Sequence, residues 1–116
     1  MDYAIFLQML LNGGQYNGHR ILSKHTVDLM TSNQIGDIPF GDPHFFFGFG
    51  FGMTTKAGQL QLGQSEGSYW WGGIFNTLYW VDPKERLVCL LYTQLVDYSG
   101  TLEDKYKVAV YQALDD

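Results

Sequence analysis

Two β-rich apolar runs, residues 69–81 and 86–95, stand on either side of Asp82-Pro83-Lys84-Glu85. This arrangement constrains the chain more than any other feature. Asp at the first turn position and Pro at the second favour a type I turn, because the proline ring presets the φ that position needs. The spacing therefore predicts a β-hairpin. Leu87 to Tyr92 is apolar at every position rather than at alternate ones. A strand of that kind is covered on both faces, so the rest of the chain has to supply two covering layers.

Helical patterns supply candidates. Tyr3, Phe6, Leu7, Leu10 and Leu11 recur at helical spacing, which predicts a helix over 2–12 with Asp2 as a cap and Gly13-Gly14 as its stop. Tyr16-Asn17-Gly18-His19 carries the Asn-Gly turn signal. Ser23 caps a second helix running to about Thr31 that buries Val27 and Met30. Thr101 caps a last helix whose apolar stripe is Leu102, Tyr106, Val110, Ala113 and Leu114. Between them, residues 33–45 read as an irregular loop holding Pro39 and Pro43. Phe46 to Met53 alternates Phe with Gly, which fits a strand whose bare face lies against a close neighbour. Leu60-Gln61-Leu62 reads as a further short strand. Helix, helix, strands, hairpin, helix is the order of an α+β arrangement with helices packed on an antiparallel sheet.

Composition excludes several function classes. The chain has 116 residues, which suits one domain spanning 1–116. Its formal charge is −5 and its cations are scattered, which disfavours nucleic-acid binding, since phosphate neutralisation needs clustered Lys and Arg. No apolar run approaches the roughly 20 residues that span a bilayer. The single cysteine, Cys89, lies inside the apolar run and reads as a buried strand thiol.

Gly63-Gln64-Ser65-Glu66-Gly67 matches the G-x-S-x-G elbow, but the residues after it read as strand and all three histidines precede Ser65. The elbow requires strand, turn, then helix, so Ser65 reads as part of a turn. His19, His25 and His44 have no metal-ligand spacing. Glu103 and Asp104 suit the positive end of a helix dipole without any catalytic role. Gly72-Gly73 on a strand either lets a ligand approach the backbone closely or serves packing.

Trp71-Gly72-Gly73, followed by a strand ending Trp80-Val81-Asp82-Pro83, resembles the third motif of the serine β-lactamase and penicillin-binding-protein superfamily. The branch it is most similar to is that of the class C β-lactamases and their esterase relatives, the family VIII carboxylesterases. Asp2 to Gly14, Arg20 to Ser23 with Leu29 to Thr31, and Phe47 to Phe51 are similar, in the same order, to successive segments of that family. The resemblance implies the C-terminal part of the β-lactamase/transpeptidase-like fold: an antiparallel sheet with two leading helices and a C-terminal helix.

In that family a serine in Ser-x-x-Lys attacks the carbonyl, and the lysine with a tyrosine moves the protons, giving an acyl-enzyme. No Ser-x-x-Lys occurs in these 116 residues, and Tyr98-Ser99 follows the third motif where the family places its tyrosine motif before it. The resemblance therefore implies a single partial domain, the C-terminal portion of a serine hydrolase, inactive alone, with neither nucleophile nor base in this chain. What remains is one wall of the site. The Ile74 N–H takes the place of one oxyanion donor, and Trp71, Gly72 and Gly73 line the substrate. Trp71 stands where the family has a lysine, so an ester or amide is expected as substrate ahead of a β-lactam. No cofactor and no metal is implied. The missing half is expected to leave an exposed sheet edge prone to self-association. Members of the family are commonly bacterial and often exported, but nothing in this sequence indicates export. The competing expectation is a non-enzymatic binding module using the aromatic surface of Phe46–Phe51 and Trp70–Trp71.

Overall fold

The computed structural model describes residues 1–38, 45–96 and 101–114. Pro39, Pro43, His44, Tyr98 and Ser99 lie outside the described residues. Helix α1 (Asp2–Leu11) has Met1 at its cap position with no side-chain cap, so Asp2 is its first residue rather than its cap. It stops where expected, with Gly13 and Gly14 at φ +64° and +92°. Strands β1 (Gln15–Tyr16) and β2 (His19–Arg20) form a small hairpin. Asn17 and Gly18 both have positive φ there, which is the two-residue turn that Asn-Gly favours. Ser23 caps α2 (Lys24–Met30), its hydroxyl accepting the Thr26 N–H at 3.0 Å.

A second sheet has five strands, all antiparallel, in the order β3 (Phe45–Phe47), β4 (Gly52–Thr54), β5 (Tyr69–Gly72), β6 (Leu78–Asp82) and β7 (Leu87–Leu91). Three departures from the expected elements concern this region. The Phe/Gly stretch is two strands joined by a bend, because Gly50 takes φ +88° and turns the chain back. Two of its bare positions, Gly48 and Gly52, meet close neighbours, a Cβ on Gly48 lying 2.2 Å from the Met30 carbonyl oxygen, whereas Gly50 has nothing within 4 Å. Residues 60–62 belong to helix α3 (Lys56–Leu62), not to a strand. Thr55 caps that helix through the Gly58 N–H, and Gly63 ends it in the left-handed conformation. The run 69–81 is itself a hairpin, turning between Gly73 and Thr77.

Side chains alternate across the sheet and define two cores. On one face Tyr69 and Val81 pack with Leu7, Met9 and Leu10 of α1 and with Val27 of α2. On the other, Leu78, Trp80 and Cys89 pack against Tyr106, Val110 and Tyr111 of α4 (Thr101–Gln112). Val88 and Leu90 join the first cluster, whereas Leu87 and Leu91 join the second, so β7 is covered on both faces as its unbroken apolar run requires. The stripe on α4 is displaced from expectation: Ala113 is exposed, and Tyr111 and Lys107 take inward places.

Asp82 joins the two layers. It is fully buried, and four donors converge on it. Its Oδ2 accepts the Ser65 N–H at 3.0 Å and the Tyr111 hydroxyl at 2.7 Å. Its Oδ1 accepts the Lys84 and Glu85 N–H groups. Tyr111 in turn accepts the Trp80 indole N–H at 3.2 Å. Burial alone would push the Asp82 pKa up. The hydrogen bonds from Tyr111, Ser65 and Glu85 outweigh it and hold the carboxyl below its ordinary value.

Candidate functional site

The β5–β6 hairpin carries the Trp-Gly-Gly motif at its tip. Gly73 donates to the Thr77 carbonyl at 2.9 Å, and Asn76 donates to the Gly73 carbonyl at 2.9 Å. The loop between is therefore three residues, Ile74 to Asn76, closing on a left-handed residue, as three-residue hairpin loops do. Asn76 fills that position at φ +56°, a region asparagine enters more readily than most side chains. The segment after β7 ties the tip down. The Asn76 amide donates to the Leu95 carbonyl at 2.6 Å, while the Phe75 carbonyl accepts from the Thr93 hydroxyl and the Leu95 N–H.

The outer edge of β5 is open along the motif. Strand β4 pairs with it only at Met53–Tyr69 and Gly52–Trp70. Beyond Trp70 no described strand covers that side. Ile74 is 79% exposed, and its N–H has no acceptor among the described residues. A cleft of about 370 Å³ opens here, lined by Trp70 through Ile74, by Leu78 and Leu91 of the sheet, and by Leu102 and Glu103 of α4. Pockets of about 300–1,000 Å³ with apolar walls and a few polar groups are the usual size for small-molecule sites.

The aromatic pair is held in place. Trp71 meets Phe47 edge-on at 5.2 Å and keeps 38% of its surface exposed. Trp70 meets Phe45 edge-on at 5.1 Å, and its indole fits against Gly52, where a Cβ would come within 3.0 Å of the ring. The glycines of the motif answer to their own hairpin: a Cβ on Gly73 would lie 2.5 Å from the Thr77 hydroxyl oxygen. A side chain at Gly73 would therefore press on Thr77, so packing within the hairpin is one reason for a glycine there.

The remaining candidates separate from this cleft. Ser65 is 4% exposed and follows helix α3 rather than a strand, so the elbow geometry is absent. His19 and His25 are exposed. No cluster able to hold a metal occurs among the described residues. Cys89 is buried, and loss of hydration together with the nearby Asp82 charge pushes its thiol up to about 12. One pair escaped the sequence reading. Lys107 is 4% exposed, and its ammonium lies 2.6 Å from the Glu103 carboxylate and 5.6 Å from the Trp70 ring centre. The i,i+4 spacing of Glu103 and Lys107 was the available signal. It is so common on exposed helix faces that it does not mark a pair whose lysine is buried.

The Beta-lactamase family model matches residues 1–113, and the chain belongs to that family. Among curated proteins it is 31% identical over 105 residues to Protein Rv1367c of Mycobacterium tuberculosis, a match covering 80% of this chain and 26% of that protein. Among solved structures it is similar to EstCE1, a hydrolase with promiscuous acyltransferase activity, with a TM-score of 0.76 and 25% identity over 90% of this chain and 27% of that one. A 6-aminohexanoate-dimer hydrolase from Bacillus anthracis shares the fold, with a TM-score of 0.68 and 20% identity over 92% of this chain and 26% of that one. The chain thus spans about a quarter of the length of the relatives it matches. The fold expected from the motif resemblance is the fold present, with α3 as an additional helix.

Proposed function

We propose that these residues form the third-motif wall of a serine hydrolase that works through an acyl-enzyme, and that its nucleophile and base come from sequence outside these 116 residues. The Ile74 N–H is one oxyanion donor, and Trp71, Gly72 and Gly73 flank the substrate. The observation that carries this reading is the Ile74 N–H, without an acceptor among the described residues, in the hairpin loop at the mouth of a cleft, just past a strand edge that β4 leaves open. A binding module would have been favoured had Trp71–Ile74 been covered by the chain's own helices, but all four residues are exposed. An indole offers one neutral donor and no charge, so Trp71 suits an ester or amide better than a β-lactam carboxylate.

Alone, the chain positions a donor but has nothing to acylate. Incubated with a fluorophosphonate probe, a chromogenic cephalosporin and p-nitrophenyl butyrate, the 116-residue chain is expected to show neither labelling nor turnover. Labelling that disappears in Ser65→Ala would overturn the proposal. The outer edge of β7 has no partner among the described strands, and open strand edges are pairing templates. We expect a second copy of the chain to pair there, and a clean monomer in sedimentation at high concentration would count against it.

A further inference from the structure

The cleft beside the Trp-Gly-Gly hairpin has an unequal charge lining. Among the described residues Glu103 is the only ionisable side chain on it, and no described Lys, Arg or His lines its wall. The cation that balances Glu103 is Lys107, which is 4% exposed and lies over the Trp70 ring. A ligand in the cleft therefore meets a carboxylate, half-exposed on the first turn of α4, and is separated from the ammonium that neutralises it. The wall beside Glu103 is apolar, made by Trp70, Leu78, Leu91 and Leu102, while the hairpin side adds the uncharged Asn76 and Thr77.

We propose that Glu103 is a specificity-determining residue of this cleft, which takes an uncharged apolar group of the substrate, such as an aryl or short alkyl ester, and rejects a carboxylate. This deepens the acyl-transfer reading above and rests on it. The physical basis is twofold. An incoming anion meets a like charge in a partly desolvated site, where the interaction is less screened than in water. Its own desolvation has no compensating donor on the lining beyond the Ile74 N–H and the neutral groups of the hairpin. Lys107 makes the preference switchable. Replacing Glu103 by glutamine leaves a buried ammonium without its counter-ion beneath the cleft, and such a charge draws an anion.

The test needs no chemistry and uses the 116-residue chain itself. Methyl benzoate and sodium benzoate are titrated into ¹⁵N-labelled protein at pH 7, and shifts are followed at the Trp70 indole and the Ile74 and Leu102 amides. Methyl benzoate is expected to shift these signals, with benzoate at least tenfold weaker. In Glu103→Gln the benzoate affinity is expected to rise at least tenfold. The double variant Glu103→Gln, Lys107→Met removes both charges together, so it keeps the test available if the single variant does not fold. It should lose the gain for benzoate that the single variant shows. Leu102→Trp fills the cleft and should abolish both. Equal affinity for ester and acid in the unmodified chain, or shifts confined to residues away from the cleft, would overturn the assignment. Failure of the acyl-transfer reading looks different: the discrimination would persist, and a chain carrying the nucleophile would never form an acyl-enzyme.

Discussion

The two ends of the β5–β6 unit do opposite work. At the Asp82 end the carboxylate is buried and paired: it takes four donors, and Tyr111 links it to Trp80. At the Gly72–Ile74 end the backbone is exposed, and the Ile74 N–H has no acceptor among the described residues. The strand between them spans both, so a rigid base can hold an unsatisfied tip in one place. Unpaired backbone donors are tolerable where water or a substrate reaches them and costly where neither does. The comparison teaches that stability and chemistry are separated along one hairpin rather than mixed, and each end can be broken without breaking the other.

The largest effect belongs to the closed end. Trp80 is fully buried, faces Tyr106 edge-on at 5.4 Å and lies against Tyr111. Trp80→Ala should cost about 3–5 kcal/mol through lost burial and the cavity left behind. It also orphans the acceptor side of the Tyr111 hydroxyl. Urea unfolding followed by circular dichroism reads this directly. A loss under about 1 kcal/mol would mean that α4 does not depend on the sheet, and the contrast between the two ends would fail.

The open end should behave in reverse. Ile74→Pro removes the free N–H and disturbs no hydrogen bond within the described structure, because that N–H makes none. Proline is also favoured at the second position of a turn, which Ile74 occupies between Gly73 and Asn76. Unfolding free energy should therefore change by less than about 0.5 kcal/mol. In a protein joining this segment to its serine, acylation should fall about 100- to 1,000-fold, the usual effect of losing one oxyanion donor. An unchanged acylation rate would remove Ile74 from the site.

What the sequence showed and hid follows the same division. The β6–β7 hairpin was legible because Asp-Pro between two apolar runs has a single economical geometry. The two-faced cover of β7 was legible because an unbroken apolar run leaves no polar side. The Trp-Gly-Gly segment was legible only through its family resemblance, since two glycines on a strand fit packing as well as ligand approach. Residues 60–62 were misread because three residues cannot separate a period of 2 from one of 3.6; the Thr55 cap and Gly63 stop settle it as helix. The Asp82 network was invisible as a network. Turn chemistry explains an Asp before Pro, but Tyr111 lies 29 positions away and its pairing is a tertiary fact. Lys107 was hidden for the same reason: nothing local marks a lysine as buried.

A smaller effect tests Asp82 through pH. Its folded pKa lies below the unfolded value of about 3.9. A depressed carboxylate adds stability that is fully present above the unfolded pKa and is lost as pH falls through the folded one. Acid should therefore weaken the chain progressively below about pH 4, with the closed end loosening first. Asp82→Asn keeps the shape but cannot accept on both oxygens, so it should cost about 2 kcal/mol at pH 7 and flatten the stability profile below pH 4. An equally steep acid profile in the variant would assign the acid sensitivity to other carboxylates.

The smallest effect lies between the ends, at Gly73, and separates packing from ligand approach. A Cβ there would lie 2.5 Å from the Thr77 hydroxyl oxygen, a side-chain atom that can move only by leaving its rotamer. Gly73→Ala should therefore destabilise by about 1 kcal/mol. Adding Thr77→Ala removes the obstructing atom, and the two changes together should cost less than their sum, since residues in contact couple. If the double variant recovers stability and still acylates normally when joined to its serine, Gly73 is glycine because of Thr77. If stability returns but acylation does not, the space above Gly73 belongs to the substrate, and the open end of the hairpin extends one residue further than its free N–H.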